Sequence, residues 1–127
     1  MTSTAQPLAV ATCHCGDCRR VSGAPCNTFA AFLPANVVFS PALGTGVRHH
    51  AEVQRWFCHA CGTPLAAAYA YLPDQLYVPV GLFDQVDALV PQSESHTASR
   101  VCWVSPRHDL PSSAGSGRDR LEQADDR

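Results

Sequence analysis

The sequence predicts a mainly β domain, a small sandwich or tent of short antiparallel strands. Three observations carry this. Short runs with alternating apolar and polar residues recur along the chain. Ten prolines and eight glycines cut between them. Only "DCRRVSG" and "LFDQVDAL" have the pattern of a helical turn.

The elements follow in order. "LAVATC" reads as a strand leading into a first cysteine cluster. "NTFAAFLP" and "NVVFS" read as two strands parted by a turn at Pro34. "EVQRWFC" alternates, with Val53, Arg55 and Phe57 on one face and Gln54, Trp56 and Cys58 on the other. "LAAAYAYL" places Leu65, Ala67, Tyr69 and Tyr71 on one face. "QLYVPVG" is a further strand, whose Pro79 predicts an edge or a bulge. "SHTASRVCWV" is expected as the last strand. After Pro111 the chain turns Ser/Gly-rich and then charged, with Leu121 its one large apolar residue. That composition cannot offset its ordering entropy by burial, so residues 112–127 are expected as a disordered tail, with room for a short helix from Arg118. Residues 1–111 are expected to form the domain.

The 127 residues suit one domain with a core of its own. No apolar run is long enough for a membrane span. The first ten residues lack a basic segment followed by a long apolar one, so a cytoplasmic location is expected. In a reducing compartment the seven cysteines remain thiols or metal ligands, and their odd number argues against a closed disulfide framework. A formal charge of −2 and no basic cluster beyond Arg19-Arg20 argue against a nucleic-acid partner. The chain has no lysine, which excludes Schiff-base chemistry on a lysine.

The chemistry is concentrated in two cysteine clusters. In "FCHACGTPL", Cys58 and Cys61 flank two residues and Gly62 follows. Ending a strand, this spacing is that of a zinc knuckle, in which a tight turn aims two thiolates and backbone N–H groups at one metal. A redox dithiol would need a helix starting inside the motif, and Gly62-Thr63-Pro64 turns the chain into another strand instead. In "TCHCGDCRRVSG", Cys13, Cys15 and Cys18 join C-x-C to C-x-x-C. Three thiolates with an open fourth position form a catalytic zinc pattern. The spacing equally allows one closed site in which Cys15 and Cys18 join Cys58 and Cys61, although the 39 intervening residues (19–57) exceed the usual ribbon interval. His14, between two candidate ligands on an extended segment, points away from them. His59 is expected to face solvent, and Cys26 and Cys102 to be small buried residues, with a substitute ligand near the zinc loop as the other reading of Cys26.

"CHCGDCRRVSGAP" and "RWFCHACGTPL" resemble the two hallmark motifs of the glutathione-dependent formaldehyde-activating enzyme family, which includes centromere protein V. "VGLFD", "SHTASRVCW" and "DLP" fall in that family's order, so the resemblance spans residues 8–111. It implies a β-tent fold and two zinc sites. Cys13, Cys15 and Cys18 match the ligands of the catalytic zinc, and Cys58 and Cys61 match half of the structural one. The other half is a C-x-C some twenty residues before the first cluster, whereas twelve residues precede Cys13 here and none is cysteine. The expected domain is therefore N-terminally incomplete, with a bare sheet edge through which copies could associate as a homo-oligomer. The implied activity is that of a zinc-dependent carbon–sulfur lyase acting on S-hydroxymethylglutathione or a related thiol adduct. Arg19 and Arg20 follow the zinc loop, where one could bind a glutathione carboxylate; their other reading is as surface arginines on turn carbonyls. His96, Ser99, Arg100 and Trp103 also match family positions, with packing the expected role of Trp103. The competing reading is a non-catalytic zinc module, separated from the enzyme by whether the fourth ligand at the first cluster exchanges.

Overall fold

The computed structural model describes residues 1–125, the side chain of His49 excepted. The fold is mainly β, as expected, with nine strands and two helices among the described residues. Strands β1 (Thr2–Ser3) and β4 (Val37–Val38) form a two-stranded sheet. The main sheet has seven strands in the order β5-β6-β7-β8-β3-β2-β9, comprising β2 (Ala9–Cys13), β3 (Asn27–Phe32), β5 (Val47–His50), β6 (Val53–Phe57), β7 (Pro64–Tyr69), β8 (Leu72–Pro79) and β9 (Ser93–Ser95). All neighbours are antiparallel except β2 and β9, which run parallel with Cys13 beside Ser95. Helix α1 (Gly16–Ser22) follows β2, and α2 (Arg118–Asp125) ends the described chain. Among the described residues no helix is long and apolar enough to cross a membrane.

Strand alternation divides the core between the two faces of the sheet. Val10, Ala30, Phe32 and Val78 pack on one face, under Val37, Leu82, Phe83 and Leu89. Ala11, Cys13, Phe29, Ala31 and Tyr77 point to the other, where they meet Cys18 and Leu72. Phe29 and Tyr77 pack edge to face with ring centroids 5.0 Å apart, and Tyr69 meets Tyr77 at the same separation. Such pairs add about 0.5–1.5 kcal/mol to the burial of their rings. The first cysteine cluster thus grows out of the face that carries the aromatic wall.

Four expectations change. "LAAAYAYL" is a strand and a turn, because the chain reverses after Tyr69 and Leu72 opens β8 opposite it. Pro79 marks neither an edge nor a bulge but the last residue of β8, a central strand, where the missing N–H interrupts no further pairing. The last strand expected over residues 95–104 is not formed: β9 ends at Ser95, where that stretch begins. His96 takes a left-handed conformation (φ 53°) and a 3-10 turn follows at Thr97–Ser99, which leaves Trp103 71% exposed instead of packed. Cys102 is likewise exposed and Cys26 half-buried, so neither is the buried residue expected.

The segment after Pro111 also differs from the disordered tail expected of it; Asp126 and Arg127 lie outside the described residues. Its order comes from backbone pairing. Glu94 N–H donates to Pro111 O, Ser113 N–H to Glu94 O and His96 N–H to Gly115 O, at 2.7–3.0 Å. These bonds satisfy the outer edge of β9. Helix α2 then returns over the aromatic face. Leu121 packs on the core, Ala124 is buried, Gln75 donates to Leu121 O (2.7 Å), and the Arg118 guanidinium lies 4.2 Å from the centre of the Tyr71 ring.

Candidate metal centre

Cys13 is the last residue of β2, fixed between Asn27 of β3 and Ser95 of β9. Cys15 is the N-cap of α1, and its Sγ accepts a hydrogen bond from the Cys18 backbone N–H (3.3 Å). Cys18 sits one turn in and is buried. The bend from strand to helix folds the three thiols inward, and their sulfurs lie within 4.8 Å of one another. Two sulfurs on one tetrahedral zinc stand about 3.8 Å apart, so small side-chain rotations would close the set on an ion. Among the described residues this is the one group of three or more Cys, His, Asp or Glu with such convergence, and it has no fourth member.

The thiols share their protons unequally. Hydrogen bonds from Cys13 and then Cys18 hold the Cys15 thiol far below its usual range, against the effect of burial and with a smaller pull from His96. Cys18 is pushed far up by its bonds to Cys13 and Cys15 and by burial. Cys13 is raised chiefly by Cys15. Loading a metal on the cluster would displace protons from its thiols. A three-sulfur set suits a soft or borderline cation, and three protein ligands leave a position open.

That open side faces a cleft of about 430 Å³. Tyr69, Tyr71 and Tyr77 form one wall, Arg55 and His50 belong to the neighbouring strands, and His96, Ser116, Gly117 and Arg118 close the far side. Gly117 is tightly placed, since a Cβ there would stand 3.0 Å from Ser95 Cβ.

The sequence-predicted residues fall into three groups. Cys13, Cys15 and Cys18 come together. Arg19 and Arg20 diverge: Arg19 donates to Ser99 O (2.7 Å), the turn-carbonyl role, whereas Arg20 lies over Gly16 and lines the cleft. Cys58 and Cys61 stand apart from the first cluster, so the closed four-cysteine arrangement is not formed. They do adopt a knuckle turn, with Gly62 N–H donating to Cys58 O (2.7 Å), Cys58 N–H to Thr63 O (2.8 Å), and Gly62 at φ 77°, a conformation that favours glycine. Cys61 is exposed, and its Sγ lies 3.0 Å from Thr63 Oγ1; the Thr63 side chain, then its N–H, lowers that thiol's pKa. His59 is exposed, as expected.

His14 points away from the cluster, as expected, into a fully buried position. Its Nε2 is 2.9 Å from Glu94 Oε1, and Glu94 Oε2 accepts from Arg100 Nη2 (2.8 Å). Sequence reasoning missed Glu94 and Arg55. Glu94 carries no local signal. Arg55 does: it occupies the inward register between Val53 and Phe57, where a charge breaks the apolar pattern.

No curated protein matches the chain. The family model described as glutathione-dependent formaldehyde-activating enzyme matches residues 1–99, which takes in both cysteine clusters, β9 and the Glu94 and His96 positions. With a convergent three-thiol nest inside that match, the chain belongs to the glutathione-dependent formaldehyde-activating enzyme family.

Proposed function

We propose that the protein is a zinc-dependent carbon–sulfur lyase that makes and breaks the adduct of glutathione, or a related small thiol, with formaldehyde. The carrying observation is the three-thiol nest that opens onto a cleft and has no fourth protein ligand among the described residues. Cys13, Cys15 and Cys18 would hold the zinc, which when bound would supply Lewis acidity. A purely structural zinc module would close its shell with a fourth residue, so the open side favours the catalytic reading.

In the forward reaction the thiol sulfur forms a bond to the aldehyde carbon, the carbonyl π bond opens, and the thiol proton ends on the oxygen. His96 is the residue we assign to move that proton. It lines the cleft and acts electrostatically on Cys15, whereas His50, the other lining imidazole among the described residues, already accepts the Glu52 N–H at Nδ1 (3.3 Å). The tyrosine wall shields one side of the adduct from water. Arg20 lies at the lip, where it can meet a carboxylate. Cys58 and Cys61 would contribute two thiolates of a second, weaker metal site.

The test is exchange of formaldehyde with glutathione, followed by nuclear magnetic resonance with the zinc-loaded protein. Exchange faster than the uncatalysed rate, and lost on His96→Ala, is expected. Fully loaded protein that leaves the exchange at its uncatalysed rate would refute this substrate.

A further inference from the structure

We infer that the floor of the cleft carries an anion subsite built on Arg55, which takes a carboxylate of the substrate while the sulfur end faces the Cys13–Cys15–Cys18 cluster. This rests on the reading of the cleft as a thiol-adduct site and adds the chemistry of the other end of the ligand.

Arg55 lies in the middle of β6, between Val47 of β5 and Ala67 of β7. It is only 8% exposed and lines the same cleft as the three cysteines. A buried guanidinium ordinarily sits against a carboxylate, because desolvating the charge alone is costly. Among the described residues Arg55 has no carboxylate within ion-pair distance. Its polar neighbour is Tyr69, whose hydroxyl burial pushes far up the scale, with Arg55 opposing. The guanidinium presents planar paired donors, which match a carboxylate.

The surroundings agree. Arg118 and Arg20 line the same cleft, so among the described residues three arginines and the carboxylates of Asp17 and Glu52 line it. Arg118 is held in place by Tyr71 and by its own N–H bond to Ser116 Oγ (3.1 Å). It lies beyond residues 1–99, so this part of the anion field is supplied by the chain's C-terminal helix, outside the family match. A thiol with a carboxylate at its far end fits this layout, and a neutral thiol leaves Arg55 unmatched.

The experiment is calorimetric titration of the zinc-loaded full chain with S-methylglutathione, which has the carboxylates but no free thiol, and with its dimethyl ester. The acid is expected to bind about tenfold or more tightly than the ester, and Arg55→Gln to remove that advantage. Arg118→Gln, on an exposed helix, is expected to weaken the acid by a few-fold. Absent binding of the acid, equal binding of acid and ester, or an Arg55→Gln protein that binds the acid undiminished, each overturns the subsite. The acid-against-ester comparison needs only the wild-type chain and decides the matter if Arg55→Gln does not fold. The underlying thiol-site reading fails differently: cobalt-substituted protein whose charge-transfer band ignores glutathione while S-methylglutathione still binds.

Discussion

His14, flanked by Cys13 and Cys15 of the three-thiol cluster, is locked by its Nε2 to Glu94 Oε1 at 2.9 Å with both side chains buried. The bond ties the strand carrying Cys13 to β9, and Arg100 completes it at 2.8 Å from the other carboxylate oxygen. Among the described residues His14 Nδ1 and Arg100 Nε have no partner, so the network has no spare bond to lose. Glu94→Ala would leave an imidazole and a guanidinium facing each other across a void. A stability loss of about 2–4 kcal/mol is expected, measured by urea unfolding, together with weaker metal retention in a chelator competition. A loss below about 0.5 kcal/mol would show that the network is incidental.

The same carboxylate sets an acid limit. Burial alone would raise the Glu94 pKa, but the His14 hydrogen bond and the Arg100 charge outweigh it and hold the group below its ordinary value. A depressed folded pKa contributes stability that is present above the unfolded pKa and is lost as pH falls through the folded one. Wild-type melting temperature should therefore fall as pH drops below the ordinary carboxylate range, and metal-free Glu94→Gln should lose less over that interval. Parallel melting curves for the two proteins from neutral pH downward would contradict the assignment.

Helix α2 closes the cleft with little apolar surface of its own, so its docking depends on a few contacts. Leu121 and the buried Ala124 are the apolar ones, and the Gln75–Leu121 and Arg118–Tyr71 contacts add to them. Leu121→Ala removes about three buried carbons, which costs about 1–2 kcal/mol for a half-buried site. Hydrogen exchange should show faster exchange over 116–125 with little change in β2, β3 and β8. Unchanged protection in α2 would mean that Leu121 does not hold it.

What the sequence revealed follows from how local each feature is. Cys13, Cys15 and Cys18 are adjacent in the chain, and one strand-to-helix bend brings them together, so their spacing was enough. The alternating strands around Phe29 and Arg55 were legible for the same reason. Glu94 meets His14 across 80 residues, through a parallel pairing of β2 and β9 that no turn signal announces. Residues 112–125 looked unable to order because composition counts side chains, whereas their order comes mainly from backbone bonds to β9. Trp103 was expected to pack as part of a last strand, but the left-handed turn at His96 takes the chain off the sheet before it.

The two cysteine clusters should separate in a metal analysis. Cys15 is one of three convergent thiols, and its Sγ also caps α1, so Cys15→Ser removes a candidate ligand and replaces a sulfur acceptor with a hydroxyl. Zinc per chain after dialysis against a mild chelator should fall to near zero. Cys61 belongs to a pair with no third Cys, His, Asp or Glu converging on it among the described residues, and its side chain is exposed. Two thiolates on a solvent-facing turn hold zinc weakly, because water must complete the shell and the ion exchanges freely. Cys61→Ser should therefore leave tightly held zinc unchanged at one per chain. Elemental analysis of the wild type, Cys15→Ser and Cys61→Ser proteins, prepared side by side, checks both halves. Two tightly held ions in the wild type, with one lost in each variant, would show that the Cys58–Cys61 turn finds further ligands. Retention of one ion after Cys15→Ser together with its loss after Cys61→Ser would move the metal centre to the knuckle and refute the assignment to the first cluster.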